Sequence, residues 1–451
     1  MAAALVFAAS WLGYLGLLQW SVVRFRVTIV AGLSVSALLL AGWILRRWRV
    51  PLLGSGVVLV LLGSAAIALW VPLFSYLTGG ARVDALGLVV VTALLLAAVL
   101  GGPWAARSWA APVAAGIAAT GYAALTAVAV LGDPAPRIDV WVTLQQAADG
   151  LARGENFYAM TWVDSPGIQD AFTYLPWTVV LLAPGRWLLG DVRWMLAVWM
   201  LVAFAGIWRL AGPRHRWAAA AAMAALAVAP GTLTQVDQAW TEPLLFAGLV
   251  WWAVLVAEGR AWWAIVPLSL VCASKQHLAL VALLLMCWRP FGWRRTLIAG
   301  GLTAGLIAPW VIASPTDFVH DTVGLLVDFH PIRFANTWYL LAVNTLGVTP
   351  PFWASGAIVL VCLSLLGLLA WRRRPGVAGL LRVIALLLLV ANLANKQAFY
   401  NQFWLSAALV AVSLAVGTGR SVGKRVTEPG SSTARPDLAV PAATARSARP
   451  G

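Results

Sequence analysis

Asp139 is the residue of this chain best placed for proton transfer at a membrane surface. It stands in Gly132-Asp133-Pro134-Ala135-Pro136-Arg137-Ile138-Asp139-Val140-Trp141, where a long apolar run ends. About forty polar and aromatic residues follow, closing at Thr173-Tyr174-Leu175-Pro176-Trp177. A carboxylate at the edge of lipid can take a proton from a hydroxyl without placing an unpaired charge at the bilayer centre. The same residue reads as a helix N-cap, an ordinary role for aspartate. One oxygen can cap while the other faces a site.

A second polar stretch runs from Pro230 to Pro243 and contains Gln235, Asp237, Gln238, Trp240 and Glu242. Amides and acids hydrogen-bond sugar hydroxyls, and an aromatic face stacks on the C–H side of a sugar ring. The plainer reading is a solvated loop with a helix cap. Two lysines follow apolar runs directly, in Lys275-Gln276-His277 and in Asn395-Lys396-Gln397. A third polar stretch adds His320, His330 and Arg333. Cations grouped with acids would be explained by a bound phosphate, or by snorkelling at helix ends. No HxxxH, HExxH or DxD spacing occurs, so no metal or other cofactor is expected. Cys272, Cys287 and Cys362 lie in apolar runs and read as small buried hydrophobes.

Holding such residues at a membrane edge takes membrane-spanning elements, and the composition supplies them. Of 451 residues 62% are hydrophobic and 10% charged, with a mean hydropathy of +0.86. A soluble protein carries about 25% charge. Apolar segments run roughly 3–20, 27–45, 52–75, 85–101 and 111–131 before the first polar stretch. After it come 174–189, 193–211, 217–230, 243–257, 261–274, 277–288, 297–313, 352–371, 377–394 and 403–418. The first segment lacks a basic n-region and does not read as a cleaved signal. The 27 tryptophans fit interfacial belts. The expected fold is therefore an all-α polytopic membrane protein.

Charge sets the orientation. Basic links at Arg46-Arg47-Trp48-Arg49, Arg107, Arg214 to Arg216, Arg260, Arg289 to Arg295 and Arg372 to Arg374 alternate with the acidic stretches. The positive-inside rule then places both termini in the cytoplasm and twelve of the sixteen acids outside. Arg24 and Arg26 fall on the outer side against that rule. Parity allows only one crossing between 174 and 211, so 174–189, with Pro176 and Pro184, reads as re-entrant or interfacial. The net charge of +15 is explained by these links rather than by nucleic acid. Within the first outer loop Val140, Leu144, Ala147 or Ala148, and Leu151 recur at helical spacing, with Gln145, Gln146 and Asp149 opposite. That is an amphipathic helix lying on the membrane.

Four parts follow: an N-terminal five-helix region (1–131); the first outer loop (132–173); a second membrane region (174–418) with outer loops at 231–242, 314–351 and 395–402; and a basic tail (419–451). The tail is rich in Gly, Ser, Pro, Ala and Arg and is expected to be disordered and cytoplasmic.

The order Asp139, surface helix, Gly154-Glu155-Asn156-Phe157-Tyr158, then Phe172-Thr173-Tyr174-Leu175-Pro176 resembles the GT-C superfamily of polytopic glycosyltransferases. It is most similar to glycosyltransferase family 87, the actinobacterial polyprenol-phosphate-mannose-dependent mannosyltransferases. Gln235-Val236-Asp237 loosely matches that family's Gln-x-Asn loop, with Asp where Asn is common, and Lys275 matches a helix ending in lysine. Five helices precede the loop here, whereas the superfamily usually has one. The resemblance spans roughly 130–415. It implies a GT-C-like bundle of about 13–14 transmembrane helices with an extracytoplasmic loop. It also implies inverting transfer of a sugar, mannose first, from a polyprenyl-phosphate donor to a hydroxyl of a lipid-linked or cell-envelope glycan on the outer face. Asp139 would be the base, and Lys275, His277, Arg333 and Lys396 would hold the donor phosphate. Tyr158, Tyr174, Gln235, Asp237, Gln238, Trp240, His330 and Tyr400 would contact sugar or acceptor. Membrane lipid is the other expected partner. The rival expectation is a transporter or flippase of lipid-linked sugars, which should carry charges near the bilayer midplane and repeat symmetry. A membrane scaffold is the third.

Overall fold

Each long apolar segment satisfies its own backbone hydrogen bonds by coiling into a helix, the arrangement lipid demands. The computed structural model describes residues 2–416, apart from 23, 49, 51–52, 72–74, 329 and the side chain of Leu326. The tail from 419 lies outside the described residues. In chain order the helices are α1 (Ala2–Ser21), α2 (Val27–Arg46), α3 (Gly54–Trp70), α4 (Gly79–Gly101), α5 (Ala110–Gly132), α6 (Asp139–Ala152) and α7 (Trp177–Leu189). Then follow α8 (Arg193–Ala211), α9 (Arg216–Val228), α10 (Thr232–Asp237), α11 (Glu242–Ala257), α12 (Ile265–Cys272), α13 (Ala279–Cys287) and α14 (Gly292–Ala313). The rest are α15 (Pro315–Val319), α16 (Leu325–Asp328), α17 (Trp338–Leu341), α18 (Phe352–Arg373), α19 (Val377–Ala394) and α20 (Tyr400–Ala415). The described residues form no strand.

Eight of these helices are long and apolar enough to cross a bilayer: α1, α2, α4, α5, α8, α14, α18 and α19. The chain is a multi-pass helical membrane protein. The expected 13–14 crossings included shorter segments. Helix α3 has 17 residues and α11 and α20 have 16 each. At 1.5 Å per residue these reach about 24–26 Å, short of the roughly 30 Å hydrocarbon core.

Helix α7 does not cross. The Trp177 N–H at its start donates to Ala273 O at 3.1 Å. Gly190 O, just past its end, accepts from the Gln145 amide of α6 at 3.3 Å. Both ends lie at the acidic face, and α7 packs lengthwise on α6. Parity in the sequence points to a re-entrant or interfacial segment here. Helix α6 is the predicted amphipathic helix, with Leu144, Ala147 and Ala148 buried. Gln145 departs from the expectation. It is buried rather than solvated, because its amide also accepts the Val192 N–H at 3.1 Å and so fastens the α7–α8 turn.

Helix α20 sits at the centre, buried along nearly its whole length against α19, α9 and α1. Tyr14 Oη and Trp11 Nε1 of α1 donate to its Phe403 and Ala407 carbonyls at 2.8 and 3.1 Å. Helix α9 is largely alanine, and small side chains let neighbouring helices approach closely. Helices α14 and α18 form the outer wall and leave most of their surface outside the bundle.

The two ends of the bundle differ in charge. At one end Arg373 donates to Leu45 O at 2.9 Å, Arg209 pairs with Glu258 at 2.7 Å, and Arg216 and Arg295 stack over Trp208 and Trp262. The other end carries the acidic loops. Asn336 of the third loop receives the Arg26 N–H at 3.0 Å and donates to Arg24 O at 2.9 Å. Arg24 and Arg26 therefore share the acidic face.

Candidate functional site

Asp139 opens α6, and Ile138 rather than Asp139 holds the N-cap position. Its Oδ1 accepts the Val140 N–H at 2.8 Å. A carboxylate in the first turn of a helix meets the positive end of the helix dipole. The other oxygen lies against Gly167 of the same loop, so close that a Cβ built there would stand 2.6 Å from Oδ2. The carboxylate is partly buried, and burial raises its pKa while the Val140 N–H pulls the other way. The N-cap reading thus gives way to a first-turn carboxylate with one oxygen uncommitted to the helix.

Two polar clusters flank it. In the first, Lys275 Nζ pairs with Glu242 Oε1 at 2.6 Å and donates to Thr241 Oγ1 at 3.3 Å. Glu242 Oε2 accepts the Asn401 amide of α20 at 2.9 Å. Lys275 also stands 5.4 Å from the centre of the Tyr174 ring. Tyr174 joins this cluster to Asp139: burial raises its hydroxyl pKa first, and the charges of Glu242 and Asp139 raise it further. Lys275 was expected to meet a donor phosphate, but a resident counter-ion already neutralises it. His277 is half-buried two residues away.

The second cluster is built by α10 and the loop before α4. Asp237 Oδ2 accepts the Tyr76 backbone N–H at 3.0 Å and the Gln238 amide at 2.5 Å. Tyr76 Oη donates to Arg137 O at 2.7 Å, and its ring feels the charges of Asp237, Asp139 and Asp133. Burial is the largest cause pushing Asp237 up to about 6. The stretch is not the solvated loop that its polarity suggested. Gln235, Asp237 and Gln238 are fully buried. Among the described residues Thr234 Oγ1, both amide atoms of Gln235, Asp237 Oδ1 and Gln238 Oε1 have no protein partner. Each would cost about 1–3 kcal/mol if left unsatisfied, so this buried cluster calls for water or another hydroxyl donor. Trp240 stacks on Tyr400, with centroids 5.8 Å apart.

Tyr400 is locked from behind. A Cβ at Gly231 would fall 1.6 Å from its Oη, and Gly231 has φ +86°, a left-handed conformation. Gly231→Ala is expected to displace Tyr400 and cost roughly 1–3 kcal/mol of stability. Thermal unfolding of the two proteins in the same detergent measures this. A midpoint equal to that of the original chain would mean the contact carries no weight.

The other sequence candidates take other partners. Tyr158 is in an aromatic core with Phe157, Phe172 and Phe318, and its Oη donates to Tyr174 O at 2.7 Å. It props Tyr174 and presents no surface to a sugar. Lys396 is buried, donates to Val327 O at 3.0 Å, and has no carboxylate partner among the described residues. Arg333 is exposed on the third loop and uses its carbonyl to accept from Asn344 at 2.8 Å. His330 is exposed on the same loop. His320, also exposed, pairs with Asp321 at 3.0 Å, and that contact raises its pKa.

Several positioning residues escaped the sequence reading. Arg193 is fully buried, pairs with Asp191 at 2.8 Å and reaches Asp133 O at 2.6 Å. Trp141 of α6 donates to the same Asp191 at 3.1 Å. This clamp fixes the α5 exit relative to the α6 start, and hence Asp139. Glu242 was missed as the partner of Lys275, and Asn401 as the partner of Glu242, although a buried lysine requires an anion and Glu242 is an acid opening an apolar helix. No group of three or more His, Cys, Asp or Glu among the described residues could hold a metal ion. The chain matches no protein-family model, no curated protein and no solved structure.

Proposed function

We propose that this membrane protein is an inverting glycosyltransferase, taking a sugar from a polyprenyl-phosphate donor to a glycan hydroxyl at its acidic, outward-facing end. One observation carries the reading. Asp139 is a partly buried carboxyl with a raised pKa, one oxygen fixed by the helix start and the other left for a proton. The residue order that resembles family 87 supports it independently of that geometry.

In this reading Asp139 takes the proton of the acceptor hydroxyl as that oxygen attacks the anomeric carbon. The bond from that carbon to the phosphate oxygen breaks on the opposite side, and polyprenyl phosphate leaves with the electron pair. The configuration inverts. Lys396, a buried ammonium with no carboxylate partner among the described residues, is the cation of choice for the departing phosphate. Lys275 keeps Glu242 in place and sets the field at Tyr174. Gln235, Asp237 and Gln238 offer buried, unspent hydrogen-bonding atoms to sugar hydroxyls, with Trp240 and Tyr400 as the neighbouring aromatic surface.

The test is direct. The purified full chain is incubated with labelled polyprenyl-phosphate mannose, then with other polyprenyl-phosphate sugars, and with lipid-linked glycan acceptors. The expected product is a labelled glycan of inverted anomeric configuration. Movement of lipid-linked sugar across vesicles, with no transfer from any donor, would replace this reading with a transporter.

A further inference from the structure

A cavity lies away from the acidic loops, between α1, α2, α19 and α20. It has a volume of about 560 Å3 and is walled mainly by apolar side chains, among them Phe7, Trp11, Leu40, Trp43, Leu389 and Val410. Pockets of about 300–1,000 Å3 are of ligand size. Its lining on α1 runs from Ala2 to Tyr14. Twelve residue steps of helix span about 18 Å, a little over half of the roughly 30 Å hydrocarbon core. The cavity is thus a slot one leaflet deep, at the basic end of the bundle.

One cation stands beside its lining, against Trp43. Arg382 stacks on Trp43, with its Cζ 4.1 Å from the ring centre, and its Nε donates to Ser413 Oγ at 3.1 Å. Trp43 lines the slot, and Ser413 lies one turn below Val410, which lines it too. Arg382 is five residues into α19, about 7.5 Å from its start. Its guanidinium reaches back toward the basic end, because Trp43 lies three residues from the end of α2 and Ser413 two from the end of α20. No carboxylate pairs with Arg382 among the described residues, and α1, α2, α18, α19 and α20 contain no Asp or Glu at all. Arg46 and Arg373 end α2 and α18 at the same face, where Arg373 bonds Leu45 O. A planar guanidinium with no anion paired to it among the described residues, held beside a leaflet-deep apolar slot near the basic end, matches a phosphate joined to an acyl chain.

We infer that this slot binds one glycerophospholipid of net negative headgroup, its acyl chain between α1, α2, α19 and α20 and its phosphate on Arg382. The site is separate from glycosyl transfer and does not depend on it.

The experiment uses the full chain in detergent, offered equal amounts of phosphatidylglycerol and phosphatidylcholine with identical chains. Retained lipid is counted by native mass spectrometry. One phosphatidylglycerol should be kept over phosphatidylcholine by at least tenfold. Arg382→Gln should abolish that preference while still retaining lipid of either kind. Ser36→Phe, which fills the slot from α2, should release both lipids with Arg382 intact. Equal retention of the two lipids by the original chain overturns the proposal, since the slot would then be a greasy surface without headgroup recognition. A preference that survives Arg382→Gln overturns it as well. Should Arg382→Gln fail to fold, Ser36→Phe decides alone: phosphatidylglycerol retained at its original level places the lipid elsewhere.

Discussion

Asp139→Asn is expected to lower glycosyl transfer by about 10²–10⁴-fold while leaving the helices and membrane insertion unchanged. The amide is isosteric, and its oxygen can still accept the Val140 N–H that the carboxylate now holds at 2.8 Å. Only the proton acceptor is lost. The pH profile gives a second readout. A general base works ionised, and burial raises the pKa of this carboxyl. Activity should therefore fall as pH drops through a value above the ordinary aspartate range. Gly167→Ala probes position without touching charge, because the new methyl would press on Oδ2 and displace the carboxylate. It should slow transfer without abolishing the acidic limb. Turnover by a well-folded Asp139→Asn protein equal to that of the original chain would reduce Asp139 to a helix-start residue.

Lys275→Met should destabilise the fold by about 3–5 kcal/mol, the range for removing one member of a buried ion pair. Glu242 is fully buried and would keep only the Asn401 amide as partner. The double change Lys275→Met with Glu242→Gln should recover most of the loss, since the uncompensated charge goes with the lysine. Thermal midpoints of the four proteins in one detergent complete the cycle. A snorkelling lysine predicts the opposite: Lys275→Met would fold as well or better. Donor titration adds a separate measure. Lys396→Met should weaken donor binding more than acceptor binding, by roughly 1.5–3 kcal/mol. Unchanged donor affinity there would move the phosphate contact to Arg333 and the third loop.

Hydropathy and charge made the membrane architecture legible. The segments 27–45, 193–211 and 377–394 reappear within a residue as α2, α8 and α19, because an apolar chain in lipid has no alternative to the helix. The amphipathic α6 followed from the spacing of Leu144, Ala147 and Ala148. What stayed illegible were pairings across sequence distance. Lys275 announced a need for a partner but not which one, and Glu242 sits 33 positions earlier on another helix. Gln145 and the Gln235–Gln238 stretch looked solvated because polarity alone carries no information about what packs over it. Tyr158 looked like a ligand contact. Its hydroxyl was already spent on the Tyr174 carbonyl, a bond that depends on how the 157–174 loop closes. Tyr76 carried no signal at all, since its backbone N–H and its hydroxyl meet partners 161 and 61 positions away.

The Lys275–Glu242–Asn401 knot also imposes an order on biogenesis. Ribosomes extend a chain by about 5–20 residues per second. Glu242 therefore emerges roughly 2–7 s before Lys275, which follows 33 residues later. Asn401 arrives 159 residues after Glu242, about 8–32 s behind it. During the first interval α11 carries a carboxylate whose partner has not been synthesised. Helix α11 can settle only when the α12–α13 hairpin has entered beside it, and the central α20 closes the assembly last. A nascent chain arrested before Lys275 should therefore leave α11 loosely held and open to the membrane proteases that survey unfinished proteins.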